Sequence, residues 1–162
     1  VSPSGRLPLT FYKDDSDLPP FEDYSMKGRT YRYFDNPLFA FGHGLSYTRF
    51  SIGEGKIAKQ GDNYTLTVPV SNTGKRDGTE IVQVYIRDLS DPNGPLKSLR
   101  AFQRVEIKAG QTVDVQLVLT PKSFEFFDPT SNAMRQKQGA FEILYGNSSQ
   151  DKDLKKLPLT VK

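Results

Sequence analysis

Residues 63–72 read NYTLTVPVSN and alternate between apolar and polar side chains. The apolar face of this segment consists of Tyr64, Leu66, Val68 and Val70. A repeat of two residues is typical of a β-strand that packs one face on a hydrophobic core. Because proline has no backbone N–H to donate, Pro69 predicts that this strand lies at a sheet edge or contains a bulge.

The same alternation predicts further strands on the C-terminal side of this segment. They cover residues 79–89, 99–107, 112–120, 139–145 and 157–161. Turn clusters rich in glycine, proline, asparagine and aspartate separate them, and residues 121–127 predict a short helical turn that leads into an edge strand. No window longer than one turn has helical periodicity. About seven short strands separated by turns predict an all-β fold, an antiparallel β-sandwich of the immunoglobulin-like or fibronectin type III-like kind.

Composition excludes several classes of function. The 162 residues carry 22 basic and 19 acidic side chains, and because the two signs are mixed along the chain we expect no nucleic-acid partner. The absence of cysteine excludes disulfides and thiolate metal sites. The sequence contains no apolar run of about 18 residues, so we expect no membrane-spanning segment. We also expect no cofactor and no bound metal.

The first 44 residues differ in character from the strands. Residues 1–10 are punctuated by proline and glycine, and residues 11–27 place five carboxylates around Pro19 and Pro20. We interpret this part as a loop, because the carboxylates do not have the spacing of a calcium-binding EF-hand loop. Residues 28–50 read GRTYRYFDNPLFAFGHGLSYTRF, in which proline and glycine exclude a continuous helix. The seven aromatic rings of this stretch must therefore pack against something outside it.

The residue types that carry catalysis are scarce in this chain. His43 is the only histidine, so a site with several histidine ligands cannot form. A triad of His43 with Ser46 and a distant aspartate would depend on the tertiary fold, and we favour a turn histidine that hydrogen-bonds to the backbone. Carboxylates fall on polar loops or on the solvent side of strands, as Asp114 and Glu142 do, where no burial would raise a pKa for acid catalysis. We therefore predict no catalytic residue.

Three ordered motifs resemble the C-terminal portion of glycoside hydrolase family 3 enzymes, most closely the β-xylosidases and next the β-glucosidases. The motifs are PSGRLPLTF at 3–11, DYSMKGRTYRYF at 23–34 and PLFAFGHGLSYT at 37–48. The later patterns are similar to the fibronectin type III-like domain of those enzymes, and they lie at residues 83–85, 99–105 and 139–143.

The resemblance implies a domain organisation. Residues 1–18 would end a preceding α/β sandwich domain, residues 19–44 would form an extended, irregular linker arm, and residues 45–162 would form the β-sandwich. Enzymes of this family carry a nucleophilic aspartate in a (β/α)8 barrel and usually an acid/base glutamate in the α/β sandwich domain. They release single sugars from the non-reducing end with retention of configuration. No residue of this chain matches either catalytic group, so the fragment alone is not expected to be an enzyme.

The arm is expected to lie across the catalytic barrel and α/β sandwich domains of the parent enzyme. The residues predicted at that interface are Arg29, Tyr31, Tyr33, Phe34, Phe39 and Phe41. A second copy of the chain, in a homodimer, is the other expected partner. Without the catalytic domains, about forty N-terminal residues are expected to be disordered, to pack non-natively or to be exchanged between copies. We expect the parent enzyme to be periplasmic or secreted.

The predicted function is therefore a structural brace for the catalytic domains. The alternative is a carbohydrate-binding module, since β-sandwiches often present aromatic rings to sugars. Against it, tryptophan is absent, and most aromatic residues fall in the arm or on core-facing strand positions.

Overall fold

Ten β-strands account for most of the regular structure in residues 2–162, the part of the chain that the computed structural model describes. In chain order they are β1 (Phe50–Ile52), β2 (Lys56–Gln60), β3 (Asn63–Asn72), β4 (Gly78–Asp88), β5 (Ser98–Ile107), β6 (Thr112–Leu119), β7 (Glu125–Asp128), β8 (Ala133–Gln136), β9 (Gly139–Gly146) and β10 (Leu154–Val161). The helical segments are the single turn α1 (Thr30–Tyr33) and the 3-10 turns Asp15–Asp17, Pro121–Phe124 and Asp151–Asp153.

The strands form two packed antiparallel sheets and a separate hairpin. In the first sheet β3 pairs with β6 on one side and with both β1 and β2 on the other. The second sheet has the strand order β10-β9-β4-β5, and β7 pairs with β8 in the hairpin. The predicted all-β sandwich is confirmed, with three more strands than the sequence indicated.

The hydrophobic core lies between the two sheets. All four apolar residues predicted on one face of β3 are buried there, opposite Val82, Val84 and Ile86 of β4. The hydroxyl of Tyr145 on β9 accepts a hydrogen bond from the Gly55 N–H at 2.7 Å. The polar end of this buried ring is thus satisfied by the opposite sheet, and the contact links the two layers.

Pro69 does not lie on an edge strand, so that alternative of the prediction is wrong. Its carbonyl accepts a hydrogen bond from the Gly53 N–H at 2.8 Å. The N and O atoms of one strand residue point to the same side, so the missing N–H of Pro69 also faces Gly53. Residues 53–55 interrupt the neighbouring strand between β1 and β2, and no ladder hydrogen bond is lost there.

The second sheet also buries apolar side chains on its outer face, away from the core. Tyr85 of β4 and Leu144 of β9 are paired across the strands and are almost fully buried. Residues from the N-terminal side of the chain, Tyr31 and Phe41, pack on them. This sheet is therefore covered on both faces, and its outer cover is the part of the chain predicted to be an arm.

Candidate functional site

We call residues 2–49, which precede β1, the N-terminal region. Its two ends pair with each other: the Leu7 N–H donates to the His43 carbonyl at 2.8 Å, and Phe11 and Phe39 form an antiparallel bridge. The predicted segments 1–18 and 19–44 are thus joined by backbone hydrogen bonds, although residue 1 lies outside the described residues. Their assignment to two different domains stays a prediction.

Two of the predicted interface rings pack on the sandwich itself. Tyr31 stacks on Phe41 with ring centroids 4.4 Å apart and meets Tyr85 edge-on at 5.8 Å. The Tyr31 hydroxyl accepts a hydrogen bond from the Leu99 N–H at 3.1 Å. Aromatic pairs in these geometries contribute about 0.5–1.5 kcal/mol beyond the area that they bury. The N-terminal region is therefore packed on the outer face of the second sheet by ring contacts.

Gln83 of β4 joins the same two parts through polar contacts. Its amide nitrogen donates to the Gly42 carbonyl at 3.2 Å and to the Asn147 carbonyl at 2.8 Å, and its amide oxygen accepts from the Tyr85 hydroxyl at 2.6 Å. Burial, with a smaller contribution from Tyr31, raises the pKa of Tyr85, so this hydroxyl stays protonated and remains a donor. The Gln83 amide and the Tyr85 hydroxyl thus form these hydrogen bonds with other groups of this chain.

A buried ion pair lies beside this amide. The guanidinium of Arg6 pairs with the carboxylate of Glu80, whose side chain is only 2% exposed. The same carboxylate accepts from the Ile81 N–H at 2.7 Å and weakly from the Asn147 side chain at 3.4 Å. Because no charge is left unpaired, the pair can be accommodated where water is excluded.

Backbone hydrogen bonds complete the attachment. The Ser149 N–H donates to the Phe41 carbonyl at 2.9 Å, and the Leu96 N–H donates to the Arg32 carbonyl at 2.7 Å. The N-terminal region is thus bound to β4, to β5 and to the two loops that contain Leu96 and Ser149. That the region is disordered, packs non-natively or is exchanged between copies in the absence of the catalytic domains stays a prediction.

The other predicted interface residues do not gather with Tyr31 and Phe41. Arg29 donates to the Asp23 carbonyl at 2.7 Å, and Phe34 packs on Tyr12 with ring centroids 4.8 Å apart. Tyr33 is half-buried beside the Arg32 guanidinium, whereas Phe39 is 44% exposed. That any of the six contacts another domain stays a prediction.

Exposed apolar side chains concentrate on the N-terminal region. Of the fifteen large apolar residues that are exposed within residues 2–162, ten lie between Leu9 and Tyr47, less than a quarter of the chain. We call these ten the apolar strip: Leu9, Phe11, Leu18, Phe21, Tyr24, Met26, Leu38, Phe39, Leu45 and Tyr47. Only Phe39 was a predicted interface residue. Without a regular period in this part of the sequence, nothing distinguished inward from outward rings.

The side chains that could ligate a metal ion are dispersed over residues 2–162. No group of three or more histidine and carboxylate side chains in that range could hold a metal ion, and no helix there is long and apolar enough to cross a membrane. His43 follows a turn, and its backbone N–H donates to the Ala40 carbonyl at 3.0 Å, while its ring packs 5.3 Å from the Phe39 ring. Asp114 is exposed. The Oε2 atom of Glu142 lies 3.8 Å from the Nζ atom of Lys156.

A family model described as "Fibronectin type III-like domain" matches residues 80–149. This chain contains a fibronectin type III-like domain. The domain match begins in β4 and ends after β9, so it includes Glu80 and Gln83, whose side chains form polar contacts with the N-terminal region. The resemblance to the C-terminal, fibronectin type III-like portion of glycoside hydrolase family 3 enzymes is confirmed.

Similar proteins extend the match beyond the domain. A xylan 1,4-β-xylosidase of Xylanibacter ruminicola is 59% identical over 162 residues, which cover 99% of this chain and 19% of that protein. Thermostable β-glucosidase B of Acetivibrio thermocellus is 36% identical, with 96% of this chain and 23% of that protein covered. The chain thus spans about a fifth of the length of these curated relatives.

The similarity to solved structures covers the N-terminal region as well as the sandwich. A β-glucosidase involved in saponin metabolism from intestinal bacteria has a TM-score of 0.81 at 36% identity, covering 99% of this chain and 23% of that one. A GH3 β-glucosidase of Bifidobacterium adolescentis has a TM-score of 0.84 at 28% identity, covering 99% of this chain and 26% of that one. Because the fibronectin type III-like domain is matched together with what precedes it, the two are similar as one unit.

Proposed function

We propose that this chain is a non-catalytic structural part of a family 3 β-glycosidase, and that it braces the catalytic domains of that enzyme. The observation that supports the proposal is the apolar strip. Tyr31 and Phe41 of the N-terminal region pack on the sandwich, whereas ten large apolar side chains of the same region are exposed. We infer that a neighbouring domain covers them.

The amount of exposed apolar surface supports a protein partner. Phe21 and Tyr24 are 88% and 90% exposed, and rings of this type bury roughly 150–250 Å² each when covered. Monomeric proteins rarely leave contiguous apolar patches larger than a few hundred Å² in water. Phe11, Phe39 and Leu45 line one apolar groove of about 620 Å³, which offers a neighbouring side chain a place to insert.

The chemistry would then belong to the rest of the parent enzyme. We propose a β-xylosidase or β-glucosidase that removes terminal non-reducing sugars with retention, with its catalytic groups in the (β/α)8 barrel and the α/β sandwich domain. The β-xylosidase and β-glucosidase relatives, of which this chain covers about a fifth, support this assignment. The same domains are the proposed cover of the apolar strip.

Replacing Leu45 by aspartate tests the proposal. Leu45 is 75% exposed, so Leu45→Asp is expected to change the stability of the isolated chain by no more than about 0.5 kcal/mol. In the parent enzyme the same change would bury an unpaired charge. We therefore expect it to lower the stability of that enzyme by about 2 kcal/mol or more. Thermal unfolding of both proteins measures the two effects.

Leu89→Asp is the matched control, because Leu89 is also an exposed leucine in a loop but lies outside the apolar strip. Leu89→Asp should leave the unfolding temperature of both the isolated chain and the parent enzyme unchanged. Equal behaviour of the two variants in the parent enzyme would contradict the proposal. Saturable heat when the isolated chain is titrated with xylo- or cello-oligosaccharides would instead favour the carbohydrate-binding module.

A further inference from the structure

A cleft of about 420 Å³ lies where the N-terminal region, β5 and the β7–β8 hairpin meet. Arg32 lines it from the N-terminal region, and Ser98 and Arg100 line it from β5. Phe127 and Met134 of the hairpin are more than half exposed and form an apolar part of its lining. The cleft is separate from the apolar groove around Phe11 and has a different character.

The cleft holds two arginines that have no carboxylate partner within residues 2–162. Neither Arg32 nor Arg100 forms an ion pair in that range, and the Nε atom of each is buried without a hydrogen-bond acceptor. Burial first, and then the charge of Arg32, lower the pKa of Arg100, whereas Tyr31 and Glu125 raise it. The Arg100 guanidinium is thus poorly hydrated and lies near a like charge. Such an arrangement is unfavourable unless an anion offsets it.

The surroundings hold the two guanidinium groups in place. Arg100 lies over the Phe126 ring at 4.9 Å and donates to the Glu125 carbonyl at 2.7 Å, and Arg32 lies 5.9 Å from the Tyr33 ring. These cation–π contacts and this hydrogen bond hold the two guanidinium groups in place before any ligand binds. The Ser98 hydroxyl, on a residue that is 5% exposed, is a third polar group without a partner.

We propose that this cleft binds a carboxylate, which the guanidinium groups of Arg32 and Arg100 hold with the Ser98 hydroxyl as an additional donor. Arginine forks match the planar, bidentate geometry of a carboxylate. Asp91 also lines the cleft, where its carboxylate accepts from the Asn93 N–H at 3.2 Å.

The carboxylate has two sources. It belongs either to a free organic acid, such as a uronic acid, or to an acidic side chain of a neighbouring domain. The second source rests on the proposed function, and the first does not.

The test is an NMR titration of this chain with glucuronate, with glucose as the neutral probe of similar ring shape. We expect saturable shifts at the Arg32 and Arg100 Nε–H groups with glucuronate alone. Affinity should fall at least tenfold in Arg32→Gln and in Arg100→Gln. Arg104→Gln, which changes an exposed arginine on the same strand, should bind as the native chain does. Arg32→Lys keeps the charge but not the fork, so an intermediate affinity is expected.

Stability separates binding from a structural role. Removing one of two unpaired cations relieves repulsion, so Arg32→Gln is expected to unfold at the same or a higher temperature than the native chain. If Arg32→Gln does not fold, Arg32→Lys serves for the same comparison.

The remaining outcomes distinguish the sources. Without any response to glucuronate, the cleft would be assigned to an acidic side chain if Arg32→Gln and Arg100→Gln lowered the unfolding temperature of the parent enzyme by more than that of the isolated chain. Arg104→Gln should show no such difference between the two proteins. Equal responses of Arg104→Gln and the cleft variants, or no effect of any variant in either experiment, would overturn the proposal.

Discussion

Replacing Arg6 by methionine is expected to destabilise the chain by about 3–5 kcal/mol, because it leaves the carboxylate of Glu80 buried without its partner. Methionine keeps much of the apolar length of the side chain, so the change removes mainly the charge. Chemical denaturation measures the effect, and the double variant Arg6→Met/Glu80→Gln is expected to recover most of the loss.

Lys155→Met is the control for this experiment. It removes a different ion pair, in which the partner Glu54 is 80% exposed, and the denaturation midpoint should hardly move. If Arg6→Met behaved like this control, the Arg6–Glu80 pair would not hold the N-terminal region on the second sheet.

Replacing Gly42 by alanine is the second large effect, with an expected loss of about 2–4 kcal/mol. Gly42 has a φ of 78°, a left-handed conformation that costs a residue with a Cβ atom roughly 1 kcal/mol. The added Cβ would also lie 2.0 Å from the Oε1 atom of Gln83. Gln83 cannot move away freely, because three hydrogen bonds hold its amide.

Gly61→Ala provides the matched control. Gly61 has a similar φ of 60°, but nothing lies within 4 Å of the Cβ that alanine would add, so only the backbone cost of about 1 kcal/mol is expected. In a Gln83→Ala background the clash disappears, and Gly42→Ala should cost no more than this control. An unchanged cost in that background would show that Gln83 does not set the position of the Gly42 loop.

Two of the strands that the sequence predicted, β3 and β6, bury one whole face. In β3 and β6 every second side chain packs in the core, so hydrophobic alternation is visible along the chain. All four residues of β8 are exposed, and four of the five in β2 are, which leaves no such alternation. Those strands are specified by pairing with a neighbour, and pairing has no local signature.

The candidate site was predictable only in part for a related reason. Tyr85 lies in a strand that the sequence predicted, and the rings of Tyr31 and Phe41 were expected to pack against something outside their own stretch. That these two rings pack on Tyr85 depends on the tertiary fold, which no local pattern specifies. The cleft brings together Arg32 and Arg100, which lie far apart in sequence. No pattern of residues around either arginine predicts that the two are close in space.

The most direct measurement of the central claim is hydrogen exchange, followed by mass spectrometry, on the isolated chain and on the parent enzyme. If a neighbouring domain covers the apolar strip, peptides from residues 18–27 and 38–47 should exchange at least tenfold more slowly in the parent enzyme. Peptides from β3 and β6, which lie in the sandwich, should exchange alike in both. Equal exchange of the 18–27 and 38–47 peptides in the two proteins would contradict the account.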